Sequence, residues 1–136
     1  MKKILLAIVL SLLLIGPAIA QEWYTANQIT VAWDASDGST VDPVIPQNEI
    51  SYYVYLSNFM TDQNKENPTR IGETGETQFV ITLADSGQYM VGVSAIRTVE
   101  GEVVGESEIT WSDTSDPPFG IRFYGAPPAP TSLRIQ

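Results

Sequence analysis

The chain has 136 residues, 16 acidic side chains against 7 basic ones, no His and no Cys. The acidic balance excludes nucleic acid and anionic membrane surfaces as partners, since both demand clustered cations. Without His or Cys there is no Ser-His or Cys-His nucleophile system and no ordinary zinc site, and stability must come from the core alone.

Lys2 and Lys3 precede an apolar run over residues 4–15, and Pro17 breaks it before Ala18-Ile19-Ala20. This is the pattern of a signal peptide over residues 1–20, too short and wrongly flanked for a spanning helix. It predicts export to the periplasm or the extracellular space, cleavage before Gln21, and no membrane anchor after cleavage. The mature chain then keeps Lys65, Arg70, Arg97, Arg122 and Arg134 as its only cations.

Residues 28–35 alternate, with Ile29, Val31 and Trp33 on one face, which reads as a half-buried strand. Asp37-Gly38 opens a polar loop through Pro43 and Pro46 to Asn48. Residues 50–56 (Ile-Ser-Tyr-Tyr-Val-Tyr-Leu) are aromatic and β-branched, a second strand. A loop over 58–68 leads to a short edge segment at 70–72 and a turn at 72–77. Residues 78–83 place Phe79, Ile81 and Leu83 together. After a turn at Asp85-Ser86-Gly87, residues 88–97 form the longest strand candidate, with Tyr89, Val91, Val93 and Ala95 on one face. Glu100-Gly101 makes a hairpin into 102–111. Strands at short spacing without helical periodicity predict an all-β, immunoglobulin-like β-sandwich of about seven strands. The domain is expected over residues 21–111, followed by a Pro/Gly-rich connector over 112–126 and a C-terminal strand over 127–136.

In order and spacing, residues 28–111 resemble a fibronectin type III domain. Trp33 closes a Val-x-Trp strand, Tyr53 sits in an Ile-x-x-Tyr-x-Tyr stretch, and Leu83-Ala-Asp-Ser-Gly-Gln-Tyr89 has the family's Leu-to-Tyr spacing. The resemblance implies that Tyr89 is a tyrosine corner, its hydroxyl bonding back to upstream backbone. The family's Pro-rich first strand is missing before residue 28. A similar pattern, Pro127-Pro128-Ala-Pro130-Thr-Ser-Leu133-Arg-Ile135, stands at the C-terminus. The first strand thus reads as displaced to the end. No Arg-Gly-Asp is present, so no integrin association carries over.

The expected core is Trp33, Tyr53, Phe79, Leu83, Tyr89, Val91 and Val93. Asp34, Asp37, Asp42 and Glu49 flank one loop, but their spacing does not match a calcium loop. Asp113 and Asp116, beside Pro117-Pro118, read as linker residues. No acid sits in an apolar run that would bury it for glycoside hydrolysis. Neither a catalytic residue, a metal site nor a cofactor is expected. Trp23, Tyr24, Tyr52, Tyr55, Trp111, Phe119, Phe123 and Tyr124 exceed what one core holds, which leaves aromatic surface for a protein interface or for stacking on sugars.

These features predict a secreted, non-enzymatic binding or structural module acting through protein contacts or self-association. The alternative is a carbohydrate-binding accessory module of an extracellular glycan-processing system. A sandwich lacking its first strand exposes an edge on the strand holding Ile29 and Val31. The C-terminal segment, through Leu133 and Ile135, is expected to complete that edge in its own chain or in a neighbour. High effective concentration favours the own chain.

Overall fold

The structure is a computed structural model and describes residues 21–136. Nine strands form: β1 (Glu22–Thr25), β2 (Gln28–Ala32), β3 (Ile50–Asn58), β4 (Thr69–Thr74), β5 (Gln78–Thr82), β6 (Gly87–Val99), β7 (Glu102–Glu106), β8 (Thr110–Trp111) and β9 (Phe119–Phe123). Single 3-10 turns lie at Gly38–Thr40, Gln47–Glu49 and Ser112–Thr114. The large sheet runs β1-β9-β6-β3-β4, with β7 and β8 also on β6, and β2-β5 form a second sheet. The fold is all-β, a sandwich of these two sheets. The two sheets close over Val31, Val54, Ile81, Leu83, Val91 and Ile121, with Trp33, Phe79 and Tyr89 half-buried against them.

Tyr53 is not in this core. Aromatic residues occupy both phases of β3, so its alternation is ambiguous to inspection, and a shift of one residue turns every side chain to the other face. The aliphatic residues set the phase: Tyr52 and Val54 are buried, and Leu56 packs on the core beside them. Tyr53 points outward, with the Arg70 guanidinium 4.2 Å from its ring centre. Val93 shares a face with Val91 but is only half-buried, at the open side of the sandwich.

The segment 112–126 is not a plain connector. Phe119, Ile121 and Phe123 alternate within it, and β9 pairs antiparallel with β6 through Gly87↔Phe123 and Tyr89↔Ile121. The flanking Pro117-Pro118 and Gly125 are linker-like, yet Ile121 has no exposed surface at all.

The first strand, β1, lies at the N-terminal side and joins the large sheet parallel to β9, from Glu22↔Phe119 to Thr25↔Arg122. The Trp23 ring lies across Gly120, where an added Cβ would come within 2.7 Å of it. The second sheet is left with two strands. Residues 124–136 carry no strand, and Leu133 and Ile135 are fully exposed. Completion of the β2 edge by the chain's own C-terminal segment is therefore not made in this structure. The signal peptide at residues 1–20 lies outside the described residues.

Tyr89 donates its hydroxyl to the Asp85 carbonyl at 2.9 Å, the corner that pins the turn before β6. Burial is the larger cause that pushes its phenol above the ordinary tyrosine value, with the Asp85 charge second. Because this bond is solvent-accessible, Tyr89→Phe is expected to cost about 1 kcal/mol in urea unfolding, the net worth of one hydrogen bond.

Candidate functional site

Antiparallel pairing decides which way each backbone group of β2 points. Trp33 N–H bonds the Thr77 carbonyl at 3.0 Å, and Leu83 N–H bonds the Asn27 carbonyl at 2.7 Å. Bonded and non-bonded positions alternate along such a pair. With the register Ile29↔Ile81 and Val31↔Phe79, the odd residues of β2 face β5. The N–H and C=O groups of Gln28, Thr30 and Ala32 therefore face away from β5. Among the described residues no strand pairs with them.

Below this edge a groove of about 730 Å³ opens between the sheets, lined by Val31 from β2, Trp33 just past it, Val91 and Val93 from β6, Trp111 from β8 and Phe119 from β9. Trp33 meets Tyr52 edge to face, with ring centres 5.3 Å apart. The Tyr52 hydroxyl accepts from Ser36 N–H at 2.9 Å, which fixes the chain just past β2. The Trp33 indole nitrogen is buried without an acceptor. The groove is mainly apolar, with Asp34, Ser36, Ser107 and Asp116 also on its walls, and free backbone donors and acceptors run along the β2 edge.

The pairings also give the edge a direction. Gln28 pairs with Thr82, Gly87 with Phe123 and Thr25 with Arg122. The start of β2, the end of β5, the start of β6 and the end of β9 therefore share one pole of the sandwich. Residues 124–136 leave β9 at this pole, where Gly125 lies against Ser86. β2 runs from this pole towards the opposite one.

The remaining aromatic residues are mostly spoken for. Trp23 and Phe59 meet edge to face at 5.5 Å, with Arg122 5.4 Å from the Trp23 ring. Trp111 lies across Gly92, and Lys65, 5.8 Å from its ring, pairs with Asp113 at 2.5 Å. Phe119 and Phe123 pack on the core, while Tyr24 and Tyr124 stay exposed.

Two of the loop acids are engaged: Asp37 accepts from Ser39 N–H at 2.9 Å and Ser39 Oγ–H at 2.6 Å, and Glu49 pairs with Arg97 at 2.8 Å. Among the described residues no three His, Cys, Asp or Glu side chains lie together as a metal site.

One carboxylate on the outer face is tuned. Glu106 accepts from the Tyr55 hydroxyl and, at 2.7 Å, from Ser94 Oγ–H. These bonds, Tyr55 first, hold its carboxyl below the ordinary glutamate value. Burial and then the bond to Glu106 push the Tyr55 phenol up. A carboxyl lowered in the folded state stabilises above its unfolded value and loses that contribution as pH falls through the lowered one. Glu106→Gln is therefore expected to flatten the acid limb of the stability curve, read from urea midpoints across the acid range. The effect is small because Glu106 is exposed.

No family model matches the chain, and no curated protein matches it. Among solved structures, the crystal structure of chicken CNTN1 FN1-FN3 domains aligns over 82% of this chain and 33% of its own, at 15% identity and a TM-score of 0.40. The chain spans about a third of the length of that structure. The feature that stands out on this sandwich is an open strand edge above an apolar groove.

Proposed function

We propose that the protein is an exported, non-enzymatic module that works through protein contacts, taking an extended segment of a protein partner as an added strand along β2. The observation that carries this reading is the unpaired rim of Gln28, Thr30 and Ala32, which reaches the groove at Ala32. An added strand satisfies the free N–H and C=O groups, and its alternate side chains enter the space between the sheets. An edge left open in this way is a pairing template that proteins otherwise blunt with charge, Pro or a covering element. β2 carries neither charge nor Pro, its residues being Gln-Ile-Thr-Val-Ala, and among the described residues no strand covers its edge. Export is supported by Lys2-Lys3, the apolar run and Ala18-Ile19-Ala20.

Trp33 lines the groove, and its fluorescence supplies the test. Decapeptides of alternating Thr and Val are expected to shift its emission on titration. Thr30→Pro is expected to abolish the shift while leaving the fold intact, because this N–H faces away from β5 and Pro is tolerated at such edge positions. Peptides that stay silent while gluco- or chito-oligosaccharides shift the emission overturn the proposal in favour of a carbohydrate-binding accessory module.

A further inference from the structure

We infer that the strand taken up by β2 is residues 131–136 of a second copy of this chain, running antiparallel to β2 with Leu133 and Ile135 in the groove. Copies are thereby joined head to tail. This rests on the strand-acceptor reading above and names its partner.

The first support is that one chain carries both halves of the joint and leaves both unused. Leu133 and Ile135 are 103% and 101% exposed, while the apolar groove and the β2 rim stay open. Side chains two residues apart along a strand point to one face, so Leu133 and Ile135 enter the groove together. Arg134 between them then points outward. It is the single charged side chain of residues 124–136, on a body that holds all sixteen acids of the chain.

The second support is direction. β9 runs into the pole where β2 begins, so the chain's own tail must reverse fully to enter its own groove. It would then run parallel to β2, the weaker pairing. An antiparallel entry in the same chain needs a second reversal after crossing the length of β2. Residues 124–130 contain Pro127, Pro128 and Pro130. Prolines and the residues before them favour extended backbone. Between Gly125 (φ 88°) and Ser132 (φ 58°) a spacer so extended projects away from its own body, and Ser132 becomes extended when residues 131–136 add as a strand. When the starting pole of one copy faces the far pole of the next, that tail enters where β2 ends and runs antiparallel to it without any reversal.

The third support is length. An extended Pro-rich spacer of seven residues reaches about 22 Å, enough to clear the pole. Six residues of strand then cover about 20 Å, against about 17 Å for the five residues of β2. Because donor and acceptor are different surfaces, the contact is heterologous and grows into rings or open chains.

The test uses two variants of the mature chain. The first, Leu133→Asp with Ile135→Asp, removes the donor at exposed positions and leaves the fold alone. The second, Thr30→Pro, blocks the acceptor rim. By light scattering across concentration, the parent is expected to show at least about a twofold rise in weight-average mass, as open growth requires. Each variant alone is expected to stay monomeric with the parent's circular-dichroism spectrum. Their mixture is expected to form a one-to-one dimer and nothing larger, since one intact donor meets one intact acceptor. A parent that stays monomeric throughout, a donor variant that still assembles, or a mixture that does not pair overturns the inference. If the alternating peptides bind at Thr30 while the parent stays monomeric, self-assembly falls and the strand-acceptor reading stands.

Discussion

Ile121→Ala is expected to lower the free energy of unfolding by about 2–5 kcal/mol, against a total of roughly 5–15 for a domain of this size. The side chain has no exposed surface and packs with Val31, Val54, Ile81, Leu83 and Val91 between the sheets. The loss has two parts: the transfer free energy of the deleted carbons and the cavity that the surrounding close-packed core cannot fill. The position also decides how much structure depends on it. β9 is the strand between β1 and β6, so loosening it releases β1 as well. Urea unfolding followed by tryptophan fluorescence measures the change. Val104→Ala, on the exposed strand β7, serves as the control and is expected to shift stability by about 0.5 kcal/mol or less. Equal midpoints for Ile121→Ala and the parent would mean that residues 119–123 are a loose connector.

Trp33→Ala is expected to cost about 3–5 kcal/mol. The indole closes one end of the core, meets Tyr52 edge to face and forms a wall of the groove. Its buried nitrogen lacks an acceptor, so removing the ring also removes one unsatisfied group, which offsets part of the loss. Trp33→Phe keeps an aromatic wall without that nitrogen and is expected to cost less than Trp33→Ala. The neighbouring pair in β3 gives a sharper comparison. Tyr52→Ala empties the core beside Trp33, whereas Tyr53→Ala removes an outward ring whose contact is with Arg70. Thermal melts in which Tyr53→Ala is the more damaging of the two would mean that β3 has the opposite phase.

Much of the local structure was legible in the residues because the period of two is a local property. Ile29-Val31-Trp33 and Phe79-Ile81-Leu83 give their strands and inward faces without reference to anything distant, and β2 and β5 pair along these same residues. The interval from Leu83 to Tyr89 likewise holds its own turn, closed by the hydrogen bond from Tyr89 to Asp85. Where the local pattern was degenerate, the reading failed. In β3 aromatic residues stand in both phases, and only burial of Val54 against Ile81 and Val91 chooses Tyr52 over Tyr53 for the interior.

Strand partnership is non-local, and the order of residues along the chain does not contain it. The alternation of Phe119, Ile121 and Phe123 was present in the sequence but lay between prolines and a glycine. Pairing beside β6 and packing of Ile121 between the sheets make a strand of it. Residues 22–25 have too few side chains to announce a strand, yet a parallel seat beside β9 is open to them, and Trp23 settles over Gly120. That placement sends β1 to the large sheet and leaves β2 with one bare edge. Local alternation suffices for β2, β3, β5 and β6, and composition for the acidic surface and the apolar pair at Leu133 and Ile135. The tertiary structure alone decided that the edge, the groove and the exit of the tail are arranged with a common direction, because the pole at which each strand begins and ends is fixed only once the sheets have closed.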